Sequence, residues 1–185
     1  CNIDKNVKLI GITFNGKVFH INWESNINVD FKLDYKIIGN IDPKEIINFH
    51  PIKKGLKNHL CILNSDGKFK KILFDEDMIK SNRSFTVTKL KNNITTIDSF
   101  IYREEKHLII LTSIGRIFKF NLSNKILRPT TKQSQGLTLT KLLPSEKIVS
   151  CCPYQNETNI YLISKKGNIF CINSNEIYYG NEYSL

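Results

Sequence analysis

The sequence predicts an all-β, propeller-like fold. One repeat-built domain would cover residues 1–185, with about four repeats of roughly 50 residues and four short strands per blade. Three observations carry this. A hairpin-like segment of one design occurs four times, centred on Gly16, Gly67, Gly115 and Gly167, at spacings of 51, 48 and 52 residues. A block between hairpins repeats itself at an offset of 52, residues 85–102 matching 137–154. No segment keeps a helical period for three turns.

The hairpins are "LIGITFNGKVFHIN", "LCILNSDGKFKKIL", "LIILTSIGRIFKFN" and "IYLISKKGNIFCIN". Four residues before each glycine stands an aliphatic: Ile12, Leu63, Leu111 or Ile163. Three before it is a small polar residue: Thr13, Asn64, Thr112 or Ser164. Two after it is apolar again (Val18, Phe69, Ile117, Ile169), as is the fifth after (Ile21, Ile72, Phe120, Ile172). β-Branched and aromatic residues fill both arms, so each copy reads as strand, tight turn, strand. Asn15-Gly16 and Asp66-Gly67 predict two-residue primed turns, while Ile114-Gly115 and Lys166-Gly167 ask for a slightly longer loop.

The connecting blocks, "FTVTKLKNNITTIDSFIY" and "LTLTKLLPSEKIVSCCPY", each hold two apolar-polar strands around a polar turn. A looser version lies at 31–51. The first unit lacks these leading strands and the last stops soon after its hairpin. With a first residue other than Met, this predicts a piece of a longer chain, or a ring whose ends complete one another.

The formal net charge is +10 at a pI near 9.4. The excess is spread out: residues 1–92 hold 16 Lys/Arg against 10 Asp/Glu, and residues 93–185 hold 11 against 7. An extended basic surface fits this better than a basic arm, with nucleic acid the first partner to consider and an anionic membrane the second. No apolar run approaches the roughly 18 residues that span a bilayer, and "CNIDKNVKLI" lacks the pattern of a signal peptide. Five cysteines, none in a C-x-x-C, suggest a reducing compartment and no disulfide framework. His59 and His107 are one repeat position seen twice, at the start of a strand, without metal-ligand spacing. Cys151-Cys152 reads as a buried strand segment. No phosphate-cradling loop, nucleophile elbow or two-His motif is present, so neither a catalytic residue nor a cofactor is expected.

The columns resemble the C-terminal domain of the type II DNA topoisomerase A subunits of bacteria and plastids, that is, of gyrase and topoisomerase IV. Residues 108–151 carry the likeness best, with Gly115-Arg116, Lys119, Arg128-Pro129, Gly136 and Lys141-Leu142 in the family's places. The resemblance implies a β-pinwheel, a propeller-like ring in which neighbouring blades exchange a strand, with a basic rim that binds and bends duplex DNA. It implies an accessory domain without chemistry of its own, the DNA-cleaving tyrosine lying in another domain. Its partners would be double-stranded DNA, the rest of the A subunit and the ATPase subunit. The isolated domain would be monomeric and cytoplasmic, at the nucleoid, or would reside in a plastid-type organelle. The chain departs from the pattern in two places. The family's gyrase box is not intact, "KQSQG" at 132–136 being a remnant, and the fourth hairpin has Asn168 and Cys171 where the others are basic. Gyrase and topoisomerase IV both stay open.

The expected DNA-binding residues are Lys17, Lys68, Lys71, Arg83, Lys89, Arg116, Lys119, Arg128, Lys132 and Lys141. Lys and Arg on a rim neutralise phosphates and release counterions, giving sequence-tolerant, salt-sensitive binding. Strand alternation, however, sets the first and fourth positions after each glycine on opposite faces unless a bulge intervenes. Phe19, Phe118 and Phe170 recur in register with aliphatics and are expected to pack between blades rather than stack on bases. The alternative function is a propeller used as a protein-interaction module, its charge incidental.

Overall fold

The computed structural model describes residues 7–21, 41–53, 57–74, 78, 84–122 and 127–179. Arg83, and residues 31–40 of the first connecting block, lie outside these. Within them the chain forms thirteen strands, with a 3₁₀ turn at Pro43–Glu45. The strands are β1 (Val7–Thr13), β2 (Lys17–Ile21), β3 (Ile46–Lys53), β4 (Asn58–Asn64), β5 (Lys68–Phe74), β6 (Phe85–Thr86) and β7 (Thr96–Tyr102). There follow β8 (His107–Thr112), β9 (Ile117–Asn121), β10 (Leu137–Thr138), β11 (Ile148–Tyr154), β12 (Asn159–Ile163) and β13 (Ile169–Asn173).

The four hairpins are β1–β2, β4–β5, β8–β9 and β12–β13, all antiparallel. All four close through the same turn, so the expected contrast between two-residue and longer loops is absent. In each, the glycine N–H donates to the carbonyl three residues earlier: Gly16 to Thr13 (2.9 Å), Gly67 to Asn64 (3.0 Å), Gly115 to Thr112 (3.0 Å) and Gly167 to Ser164 (2.9 Å). The glycine then takes a left-handed conformation, φ from +72° to +83°, as in a three-residue loop with a bulge. The small polar column has a matching task. The hydroxyls of Thr13, Thr112 and Ser164 accept the N–H of Lys17, Arg116 and Asn168 across the turn, at 3.1, 3.2 and 3.1 Å. In the second hairpin, where Asn64 has no hydroxyl, the Lys68 N–H goes to Asp66 Oδ1 instead (3.3 Å), so the glycine is what all four turns share.

The connecting blocks do not stay together. Their second strands, β7 and β11, pair with β4 and β8, the first strands of the hairpins just before them, as β3 pairs with β1. Their first strands reach one hairpin further back. β6 pairs with β2 (Lys17↔Thr86, Val18↔Phe85) and β10 with β5 (Phe69↔Leu137, Lys68↔Thr138). The sheet orders are β3-β1-β2-β6, β10-β5-β4-β7, β11-β8-β9 and β12-β13. Each of the first two blades thus takes its outer strand from beyond the next hairpin, which is strand exchange.

Alternation along each strand builds the core between blades. On β4, Leu60 and Ile62 face the first blade and join Ile10, Ile12, Val18 and Ile52, whereas Cys61 and Leu63 face the third and join Leu108, Ile110 and Phe120. Ile109 and Tyr154 on the far side of the third blade meet Ile160 and Ile172 of the fourth. Period-two burial on both faces is what a stacked, twisted set of small sheets requires. Among the described residues, the fourth hairpin is covered on one face only. Tyr161, Ile163 and Ile169 are 65–72% exposed.

Phe19 is buried, its ring lying against Gly11, where a Cβ would come within 2.1 Å of it. It packs with Ile21 and Ile41 of its own unit rather than between blades. Phe118 is half-buried against the core of blades two and three, and Phe170 is 55% exposed, so the phenylalanine column has no single role. Cys151-Cys152 does form a strand segment, but Cys152 is exposed.

Candidate nucleic-acid interface

The strand exchange explains the repeated Thr-Lys-Leu that follows each two-residue strand. Val87 N–H donates to the Gly16 carbonyl (2.9 Å) and Leu139 N–H to the Gly67 carbonyl (3.0 Å), carrying the chain over the hairpin turn. Thr88 and Leu90 then pack on Gly16, and Leu142 on Gly67 beside the Thr140 carbonyl. With both neighbours turned toward the turn, the residue between them points outward. Lys89 and Lys141 are exposed. Opposite the same crossing strands stand the first residues of β2 and β5, exposed Lys17 and half-buried Lys68. Lys17 with Lys89, and Lys68 with Lys141, are therefore one arrangement repeated on successive blades.

A loop joins this rim between blades. Residues 128–136 run from the third hairpin back to the second blade, with Arg128 and Lys132 exposed. The Lys68 ammonium donates to Gln135 Oε1 (2.9 Å) and lies 3.5 Å from Asp66. Lys132 Nζ sits over the Phe85 ring, 4.9 Å from its centre. Gly136 has φ +88°, and a Cβ there would lie 2.5 Å from the Phe69 carbonyl oxygen. Only glycine lets the chain dock on β5 at this point.

Three of the expected cations point elsewhere. Lys71 is 3% exposed, its ammonium 3.7 Å from the centre of the Tyr102 ring. Burial lowers its pKa, with Cys61 and Glu105 acting in the opposite sense. Lys119 is 5% exposed, donates to the Ser174 carbonyl (3.0 Å) and faces the Tyr179 ring. Lys71 and Lys119, the two cations at the fourth position after the turn glycine, thus both point inward, where an aromatic ring stands in for water around each charge, while Cys171 at the same position is exposed. Arg116 forms a two-pronged pair with Glu146, Nε to Oε1 at 2.8 Å and Nη2 to Oε2, and also reaches the Lys141 carbonyl (3.3 Å). Glu146 further accepts the Leu143 N–H at 2.7 Å. The Arg116 hydrogen bonds, chiefly, hold its carboxyl down to about 2. Arg116 fastens the turn before β11 to the third hairpin, and its guanidinium is already occupied.

Two features were missed. Lys70 stands where the other hairpins have Phe19, Phe118 and Phe170. It is 1% exposed, and its ammonium donates to the carbonyls of Val87 (2.7 Å), Lys132 (2.6 Å) and Ser134 (2.8 Å). The break in the phenylalanine column was the available signal. Second, a polar seam links β3, β7 and β11. Asn48 donates to Asp98 (2.7 Å), His50 Nε2 meets Ser99 Oγ at 2.8 Å, and Cys151 Sγ donates to Asp98 (3.3 Å). Ser99 is 4% exposed, which suits a seam between blades better than a nucleophile.

No protein-family model and no curated protein sequence matches the chain. Solved structures do. The C-terminal domain of DNA topoisomerase IV superposes with a TM-score of 0.77 at 19% identity, over 96% of this chain and 57% of that one. The DNA gyrase A C-terminal domain gives 0.75 at 19% identity, over 97% and 58%. The E. coli ParC C-terminal domain gives 0.71 at 12% identity, over 95% and 72%. The chain spans a little under three fifths of the first two. The fold is that of these C-terminal domains, and the strand exchange expected of a β-pinwheel is present.

Proposed function

We propose that this chain is a non-catalytic domain of a type II topoisomerase A subunit that binds and bends duplex DNA along its basic rim. The observation that carries the reading is a lysine arrangement repeated on successive blades: exposed Lys17 with exposed Lys89, then half-buried Lys68 with exposed Lys141. Arg128 and Lys132 extend it along the loop between them. A rim of this kind meets phosphates and reads no bases, so affinity would come from counterion release and bending from following the curve of the blades. DNA cleavage and ATP hydrolysis would belong to other parts of the enzyme.

Duplex affinity measured against salt tests this. It should fall steeply between about 50 and 200 mM, and relaxed circles religated with the domain should change linking number. Reversing Lys89 and Lys141 to Glu should weaken binding strongly while thermal unfolding stays unchanged, because both side chains are exposed. Salt-insensitive binding with no change in linking number would sink the proposal. An affinity indifferent to the two reversals would make the charge incidental. Arg116 and Lys119 are poor choices for such reversal, since their loss would damage the fold itself.

A further inference from the structure

We infer that Lys70 is the positioning residue of the rim: its buried ammonium gathers the carbonyls of Val87, Lys132 and Ser134 and so fixes where the 128–136 loop presents its cations. The inference rests on the DNA-binding reading for its purpose, though not for its geometry.

The acceptors come from two crossing segments. Val87 follows β6, which has crossed to the first blade, and Lys132 and Ser134 precede β10, which crosses to the second. One side chain therefore ties consecutive exchange points together. Lysine suits this task, having three donors and no acceptor, one for each carbonyl. A lysine only 1% exposed is costly to bury unless every donor of its ammonium is matched, so the nest is specified by charge and not only by packing. At the same column the other hairpins carry phenylalanine, which fills space and can hold no loop. The consequence shows on the surface. With its Lys132 carbonyl held from below, the loop sets the Lys132 side chain over Phe85, beside the first blade's crossing strand. It also brings Gln135 to Lys68 on the second. The spacing between rim cations of adjacent blades is then fixed before any DNA arrives, which lowers the ordering cost of binding.

Amide hydrogen exchange and duplex binding on the full 185-residue chain test this. Lys70→Met keeps the stem and deletes the donors. Exchange across residues 130–136 should quicken by about tenfold or more, the scale of losing hydrogen bonds to a charged donor. The slope of log Kd against log salt should become shallower by about one. Lys70→Arg, which restores charged donors, should recover part of both. Unchanged exchange in Lys70→Met overturns the clamp. If the wild-type chain binds no duplex at any salt, the DNA reading fails while the exchange result still decides the clamp. Should Lys70→Met not fold, the wild type decides by NMR. A slowly exchanging Lys70 ammonium with hydrogen-bond couplings to the three carbonyls supports the inference, and a freely exchanging one overturns it.

Discussion

Arg116 and Glu146 show how a side chain chosen by charge can be spent on structure. The guanidinium grips both carboxylate oxygens, and the Leu143 amide adds a third hydrogen bond. Because the folded carboxyl sits near 2, below the roughly 4.3 of an unfolded glutamate, the native state holds its charge where the unfolded chain takes up a proton. The pair's contribution is complete above about pH 4.3 and is lost as pH falls toward 2. Glu146→Gln should accordingly flatten the stability curve in that acid window, as followed by urea unfolding at a series of pH values. Lys71 and Lys119 teach the same lesson. Residue type alone says that a lysine belongs in water; only the partners, Tyr102 for one and Ser174 with Tyr179 for the other, reveal that it does not.

At the scale of single elements, glycines that share a left-handed backbone differ in what surrounds them. A Cβ on Gly115 meets nothing within 4 Å, whereas one on Gly136 meets the Phe69 carbonyl at 2.5 Å. Gly115→Ala should cost about 1–2 kcal/mol, the conformational penalty alone. Gly136→Ala should cost more than Gly115→Ala, because β10 must also back away from β5. Chemical denaturation of the two variants compares them directly. The hairpins themselves were legible in the sequence, since a glycine, a small polar residue three positions earlier and alternating apolar arms are local signals. The destinations of β6 and β10 were not legible from those signals. Two-residue strands carry almost no pattern of their own, and their partners lie 69 and 68 residues away, Lys17 from Thr86 and Phe69 from Leu137. The exchange entered through family resemblance. For the candidate site, the Thr-Lys-Leu repeat marked Lys89 and Lys141 correctly as exposed residues, while Lys70 was hidden by standing in an aromatic column.

Across the whole molecule, the aliphatic column four residues before each glycine changes meaning from blade to blade. Leu63 is 1% exposed between the second and third blades, and Ile163 is 72% exposed on the outer face of the fourth. Leu63→Ala should destabilise the chain by about 2–5 kcal/mol, and Ile163→Ala by less than about 0.5 kcal/mol. Thermal melts of the two variants would show whether the inter-blade layers, rather than the individual sheets, hold the array together.

The crossing strands also set an order of events during folding. Sheets that keep to themselves can be completed one after another as the chain emerges, and each adds stability as it forms. Here the first sheet waits for residues 85–86 and the second for residues 137–138, so neither is finished until the following hairpin has been made. Such distant closures are slow, and they couple neighbouring units into a single cooperative transition. A chain cut after residue 74 would leave β2 and β5 each with an open edge, exposed to pairing with another molecule.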